Sequence, residues 1–417
     1  MKHSKGLFQK DFILVVIGQI ISLFGNSILR FALPLYLLNQ THSSILFGMV
    51  SACSFIPIIL LSPIGGILAD RVNKRNIMVI LDFSTAFLIL VLTILLGKMN
   101  LVILLLGALI LLYGIQGTYQ PAVQASIPAL MSREELVPAN AVINLVNSMA
   151  GLVGPVIGGA VFAFAGIRPI LEISIVCFVI SAVMEIFIHI PFHKIVTSRS
   201  IFVIAAQDMK ESFKFIAEKK PVIGKGGVII AAINLFFSAL VIIGVPIIIT
   251  EHLGFSEQLG NQLYGYAQGA LAAGGLIGGL LAGVLGKKMQ IQKAHKLLIL
   301  ACLSLFPIGI VLCLPVGAMC VYAVMVVCCF MMMITSSLFT IQLMAYVQMV
   351  TPSELIGKIM SMITCISVAS QPLGQAMYGI LFDVLEDRLY LIFFGAMVIC
   401  LGIARYSGGL FGSIPEK

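Results

Sequence analysis

Residues 76–96 read NIMVILDFSTAFLILVLTILL, a run in which Asp82 is the single charged side chain. A helix needs about 20 consecutive apolar residues to cross the hydrocarbon core of a bilayer. The basic stretch RVNKR at residues 71–75 precedes this run. The sequence therefore predicts a membrane-spanning helix with a basic end at one membrane surface.

The composition of the whole chain follows the same pattern. Of its 417 residues, 60% are hydrophobic and 10% are charged, whereas soluble domains carry about 25% charged residues. A soluble fold of this size could not hide so much apolar surface. This excludes a soluble enzyme, a disordered protein and a nucleic-acid-binding protein.

Twelve apolar spans account for most of the chain. The expected fold class is an all-α membrane protein with twelve transmembrane helices in two six-helix, pseudo-symmetric bundles. The spans lie near residues 12–38, 44–69, 76–96, 101–124, 141–165, 169–191, 223–250, 262–286, 295–314, 318–346, 358–382 and 389–411.

Basic residues predict the orientation of these spans. If the N-terminus is cytoplasmic, 20 of the 25 Lys and Arg residues lie in inner loops, and only Lys98, Arg168 and Arg388 lie in outer loops. Such a bias is the positive-inside pattern, so both termini are expected in the cytoplasm. The basic residues that give the net charge of +8 then face anionic lipid headgroups, so this charge does not indicate binding of nucleic acid.

The longest polar connection divides the chain into three parts. We expect an N-terminal bundle at 1–191, a cytoplasmic linker at 192–222 and a C-terminal bundle at 223–417. Within the linker, Met209, Phe213 and Ile216 share one helical face, which favours an amphipathic helix on the membrane surface; binding of a partner is the alternative.

The segment GGILADRVNKR at 65–75 resembles the signature loop of the major facilitator superfamily of transporters. The matching residues are Gly66, Asp70, Arg71, Lys74 and Arg75. Asn73 stands where the family has Gly, and Asn tolerates a left-handed backbone. The resemblance implies that Asp70 holds the start of span eleven, near residues 351–354, and closes the cytoplasmic side. The alternative is a charge cluster that only orients the protein.

Span five contains GLVGPVIGG at 151–159, which resembles the motif of drug–proton antiporters in this family. Its residues are Gly151, Gly154, Pro155, Gly158 and Gly159. The resemblance implies export rather than uptake. Small residues also allow two membrane helices to approach closely, so ordinary helix packing is the alternative.

Polar residues in the spans are candidates for a substrate cavity. Ser22, Asn26 and Arg30 share one face of span one, which lines the central cavity in this family. Arg30 could bind an acidic substrate group or form a structural ion pair. The candidate cavity residues are Asn26, Arg30, Tyr113, Gln116, Gln120 and Asn234; helix association is the alternative role for each.

Charged residues inside spans are costly and therefore functional candidates. Asp82 and Glu185 should lie at similar depth, and we expect either proton coupling or helix–helix contact from them. An Arg that many proton-coupled members have in span four is Leu112 here. Arg405, near the inner end of span twelve, is expected to reach the membrane surface.

The layout of GQIISLFGNSILRFALPLYL at 18–37, then the signature loop, then SREELVPAN at 132–140 is most similar to the macrolide-efflux and siderophore-exporter branch of the superfamily. This implies a bacterial inner-membrane antiporter that exports hydrophobic or amphipathic drugs by alternating access; export of one endogenous metabolite, such as a siderophore or lysolipid, is the alternative. The expected partners are a small-molecule substrate, protons and the bilayer, and a monomer is expected. No catalytic motif and no metal-ligand spacing is found, so no enzyme, cofactor or metal site is predicted.

Overall fold

The computed structural model describes residues 9–131, 135–191, 216, 221–285, 290–351 and 356–412. The regular secondary structure of these ranges is entirely helical. Six helices precede the predicted linker: α1 (Lys10–Thr41), α2 (Ser44–Arg71), α3 (Lys74–Leu95), α4 (Leu101–Leu130), α5 (Leu136–Ala165) and α6 (Ile167–Ile186).

Six further helices follow the linker: α7 (Pro221–His252), α8 (Glu257–Leu285), α9 (Ile291–Cys313), α10 (Ala318–Val350), α11 (Ile356–Val384) and α12 (Leu389–Gly412). Helix α7 contains two π-helical turns, Asn234–Ser238 and Ile248–His252. The predicted amphipathic linker helix lies outside the described residues except for Ile216, which is buried.

The helices have the length and surface that a bilayer requires. In the described ranges, eleven are long and apolar enough to cross a membrane. The 29-residue α11 is the twelfth, and the predicted all-α fold with twelve helices is thereby confirmed. Phe87, Phe164 and Leu280 are each about two-thirds exposed. Large apolar side chains in such positions suit a lipid environment and would be a liability in water.

Asparagine side chains cap the N-termini of α3 and α4. Oδ1 of Asn100 accepts a hydrogen bond from the N–H of Ile103 at 3.2 Å, and Oδ1 of Asn73 accepts from the N–H of Arg75 at 3.0 Å. Asn73 has φ of −60° in extended backbone. The expectation that it replaces glycine in a left-handed turn was therefore wrong, because its role is to cap helix α3.

Contacts divide the chain into two compact units. Unit 1 comprises Met1–Gln40 and Cys53–Ile201, and unit 2 comprises Thr41–Ala52 and Phe202–Lys417. The first turns of α2 belong to unit 2 because Gly48 packs against the backbone of α11. A Cβ at Gly48 would lie 2.7 Å from Cα of Gly379, so this approach requires glycine.

Candidate functional site

Two acidic side chains are buried together inside unit 1. Asp82 on α3 is 2% exposed, and Glu185 on α6 is 0% exposed. Helices α3 and α6 pack against each other, which brings the two carboxyl groups close enough to interact electrostatically. Both residues were predicted as candidates for proton coupling.

Hydrogen bonds connect these carboxyl groups to α1 and α4. Nε2 of Gln19 donates to the hydroxyl of Tyr119 at 2.7 Å, and that hydroxyl donates to Oε1 of Glu185 at 2.7 Å. The hydroxyl of Ser22 donates to Oδ1 of Asp82 at 3.1 Å. Four helices therefore contribute to one polar group of residues in the apolar interior.

Ser181 completes this arrangement. It lies one turn before Glu185 on α6, and its hydroxyl donates to the backbone carbonyl of Gly18 at 3.1 Å. We define the acidic cluster as Gln19, Ser22, Asp82, Tyr119, Ser181 and Glu185. All six side chains are buried.

Three polar atoms of the acidic cluster lack a hydrogen-bond partner in the described part of the chain. Oε1 of Gln19, Oδ2 of Asp82 and Oε2 of Glu185 have no hydrogen-bond partner among the described residues. Within the same ranges, neither carboxyl group forms an ion pair with Lys, Arg or His. An ionised carboxylate is costly in an apolar interior unless it is paired. The arrangement is therefore suited to holding a proton.

Sequence reasoning missed Gln19, Tyr119 and Ser181. A weak signal existed for two of them, because Gln19 lies one turn from Ser22 and Ser181 one turn from Glu185. The pairing of α1 with α4 could not be inferred from either helix alone.

Arg30 forms a second polar region on α1. Its Nη1 donates to Oε1 of Gln116 at 2.6 Å, and its Cζ lies 4.1 Å from the centre of the Tyr113 ring. Tyr113 meets Phe55 edge-on, with ring centres 5.1 Å apart. We call these four residues the arginine site. Since Arg30 is half-buried and always charged, it can bind an anionic group.

The other predicted cavity residues do not join this arrangement. Asn26 and Gln120 are half-buried on α1 and α4. Asn234 lies in unit 2, at the start of the first π-helical turn of α7, and its Nδ2 donates to Oγ of Ser367 at 2.5 Å. The structure thus groups Arg30, Tyr113 and Gln116 and gives Asn234 a separate partner.

The π-helical turn supplies a contact that the sequence did not predict. The hydroxyl of Tyr378 on α11 donates to the carbonyl of Phe236 at 2.5 Å. A π-helical turn displaces carbonyl groups from the regular α-helical pattern. A side chain of α11 bonds one of them here, which joins α7 and α11.

The glycine motif of α5 packs against α1. A Cβ at Gly154 would lie 2.5 Å from Oγ of Ser27, and one at Gly158 would lie 3.3 Å from Cγ2 of Ile28. Gly159 is buried, whereas a Cβ at Gly151 would meet nothing within 4 Å. Close helix packing therefore explains Gly154 and Gly158, and Pro155 lies within the helix.

The signature loop connects α2 to α3. Gly66, Asp70 and Arg71 lie in the last turns of α2, and Lys74 begins α3. Nη1 of Arg75 donates to the carbonyl of Ile186 at the end of α6, at 3.4 Å. Of the expected partner of Asp70 at 351–354, residues 352–354 lie outside the described residues. The gating role of this loop stays a prediction.

Comparison with known proteins identifies the family. A model of the Major Facilitator Superfamily matches residues 15–375, and the chain belongs to this superfamily. The chain is 23% identical over 395 residues to macrolide efflux protein A of Streptococcus pyogenes, covering 93% of each protein. It is 29% identical over 156 residues to the enterobactin exporter EntS of Shigella boydii serotype 4, covering 37% of each.

A solved structure supports the same fold. The crystal structure of a D-xylose-proton symporter superposes with a TM-score of 0.73 at 12% identity, covering 97% of each chain. The resemblance inferred from the signature loop is confirmed, and the protein is a membrane transporter rather than an enzyme.

Proposed function

We propose that the protein is a proton-driven antiporter that exports hydrophobic or amphipathic drugs such as macrolides by alternating access. The likeness to macrolide efflux protein A over 93% of the chain supports export. The acidic cluster supports the proton as coupling ion, and it is the observation that carries the proposal.

The coupling step follows from the burial of Asp82 and Glu185. Removing a proton from this pair leaves additional negative charge in an apolar interior, which is unfavourable unless water or a donor reaches it. Oδ2 of Asp82 and Oε2 of Glu185 have no partner among the described residues, so both can accept such a donor. A change in hydration during transport would then drive proton release and uptake.

The substrate would bind to apolar surface with a few polar contacts. A cavity of about 370 Å³ lies between α1 and α5 in unit 1, and its apolar lining includes Ile20, Phe24 and Met149. Ligand sites combine such surfaces with a small number of orienting polar groups, and the arginine site is the proposed source of such groups, although its residues do not line this cavity.

The membrane setting is part of the proposal. The distribution of Lys and Arg supports a bacterial inner-membrane protein with both termini in the cytoplasm. In this orientation Asp70 lies at the cytoplasmic surface, where it would hold the gate closed. The bundles at 1–191 and 223–417 would act as one monomeric transporter.

Efflux measurements test the proposal. Cells that express the protein should expel a fluorescent macrolide or dye, and an uncoupler should abolish this efflux. Asp82→Asn and Glu185→Gln should each reduce efflux at least about tenfold, as expected when an essential proton carrier is lost. Glu172→Gln is the matched control, because Glu172 is exposed on the same helix as Glu185. Efflux that persists with the uncoupler, or full activity in both cluster variants, would refute proton coupling.

A second candidate is export of one endogenous metabolite, such as a siderophore or lysolipid. Arg30 favours this alternative, because a half-buried permanent cation suits an acidic molecule better than a neutral drug. The partial likeness to the enterobactin exporter is consistent with it.

A further inference from the structure

A second cavity lies in unit 2, where α9 begins and α12 ends. Its volume is about 430 Å³, and it is lined by His295, Ile299, Leu401, Arg405 and Gly408. Helices α9 and α12 pack against each other. The cavity shares no residue with the acidic cluster or the arginine site.

Among the described residues, the charge of this cavity is positive and no acidic side chain lines it. Arg405 is exposed and forms no hydrogen bond or ion pair with the described residues. Lys293 and Lys296 are exposed in the first turns of α9, close in sequence to His295. The chain contains no Asp or Glu at 258–353 or at 388–415. Arg405 therefore has no carboxylate on its own helix or on α9 and α10.

Glycine and histidine keep the cavity open. Nδ1 of His295 lies 2.9 Å from the carbonyl of Gln292, and because a carbonyl only accepts, Nδ1 must donate. This bond holds the imidazole ring against α12, where a Cβ at Gly408 would lie 3.1 Å from the ring. A larger side chain at Gly408 would therefore press on the ring and fill the space beside Arg405.

Both helices that line the cavity carry exposed apolar side chains. Leu300 on α9 is 58% exposed, and Ile399 and Tyr406 on α12 are 45% and 57% exposed. Ile299 and Leu401 supply apolar lining inside the cavity, one helical turn from His295 and Arg405. A ligand here would meet a cation at one end and hydrocarbon at the other.

We propose that this cavity binds an anionic phospholipid, with the phosphate at Arg405 and the glycerol and acyl carbons against Ile299 and Leu401. Basic pockets between membrane helices bind anionic headgroups in this manner. A soluble phosphate would share the contact with Arg405 but would leave the apolar wall unused. The site is independent of the exported substrate and of proton coupling.

Lipid titration of the purified full-length protein, followed by native mass spectrometry, tests the proposal. Phosphatidylglycerol should bind more tightly than phosphatidylcholine. Arg405→Gln should weaken phosphatidylglycerol binding about fivefold, the usual contribution of one basic residue near a membrane. Arg388→Gln is the matched control, since Arg388 is an exposed arginine at the other end of α12, and it should bind as the wild type does.

A second variant keeps the charge of Arg405 but fills the cavity. Gly408→Leu should weaken binding while Arg405 is retained, so it tests the cavity even if Arg405→Gln does not fold. A parallel titration with glycerol 3-phosphate separates a lipid from a soluble phosphate. Equal binding of both phospholipids, unchanged affinity in both folded variants, or equal affinity for glycerol 3-phosphate would overturn the proposal.

Discussion

Helix α1 contributes to two polar regions of opposite character. In the acidic cluster, Gln19 and Ser22 are buried and bonded to residues of other helices. At the arginine site, Arg30 is half-buried and contacts Gln116 and the Tyr113 ring. Ser22 and Arg30 are eight residues apart, which is about 12 Å along the helix. A closed site with titratable groups suits a proton, whereas a partly open permanent cation suits a ligand.

This contrast depends on a fixed position of α1, which Gly154 of α5 helps to set. Gly154→Ala should lower the free energy of unfolding by about 1–3 kcal/mol, the usual cost of overpacking, because its Cβ would collide with Ser27. Thermal unfolding in detergent measures the effect. Gly151→Ala is the matched control and should not lower the melting temperature, since a Cβ there meets nothing within 4 Å and alanine favours a helix more than glycine does. Equal melting temperatures for the two variants would show that α5 does not fix α1.

The closed character of the acidic cluster depends on Tyr119. Tyr119→Phe removes the donor to Glu185 and the acceptor for Gln19, so it should destabilise the protein by about 1 kcal/mol. Tyr406→Phe, at an exposed hydroxyl, serves as the control in the same unfolding measurement. Adding Gln19→Leu to Tyr119→Phe should restore part of the loss, because it removes the amide that lacks a partner. If Tyr119→Phe left the free energy of unfolding unchanged, the hydrogen-bond chain would contribute nothing to stability.

The open character of the arginine site predicts a smaller and selective effect. Arg30→Gln should reduce transport of acidic compounds about threefold more than transport of neutral ones, in line with a partly solvated ion pair. Transport assays with matched acidic and neutral dyes measure this ratio. A uniform loss would indicate a structural role for Arg30, through Gln116 and Tyr113, and would remove the argument for an acidic metabolite.

The fold was predictable to a large extent because the bilayer imposes long apolar runs. The candidate proton carriers Asp82 and Glu185 were also predictable, since a charge inside such a run is costly. Their partners Gln19 and Tyr119 were not predictable, because the sequence of one span does not show which other helices pack against it. For the same reason the sequence could not predict that Gly48 packs against α11.

Local backbone geometry was the other feature that could not be predicted from the sequence. Asn73 was interpreted as a substitute for glycine, but it caps α3 in extended backbone. The π-helical turn at Asn234–Ser238 left no pattern in the apolar run of α7, although it positions the carbonyl of Phe236 for Tyr378. Both features arise from hydrogen bonds that hydropathy does not report.

Proton movement in proteoliposomes tests the central claim most directly. When a substrate gradient is imposed on liposomes that contain the wild-type protein and a pH-sensitive dye, substrate transport should be accompanied by opposite proton movement. With Asp82→Asn and Glu185→Gln combined, substrate-driven proton movement should disappear, while Glu172→Gln should behave as the wild type does. Proton movement of normal size in the combined variant would contradict the assignment of coupling to the acidic cluster.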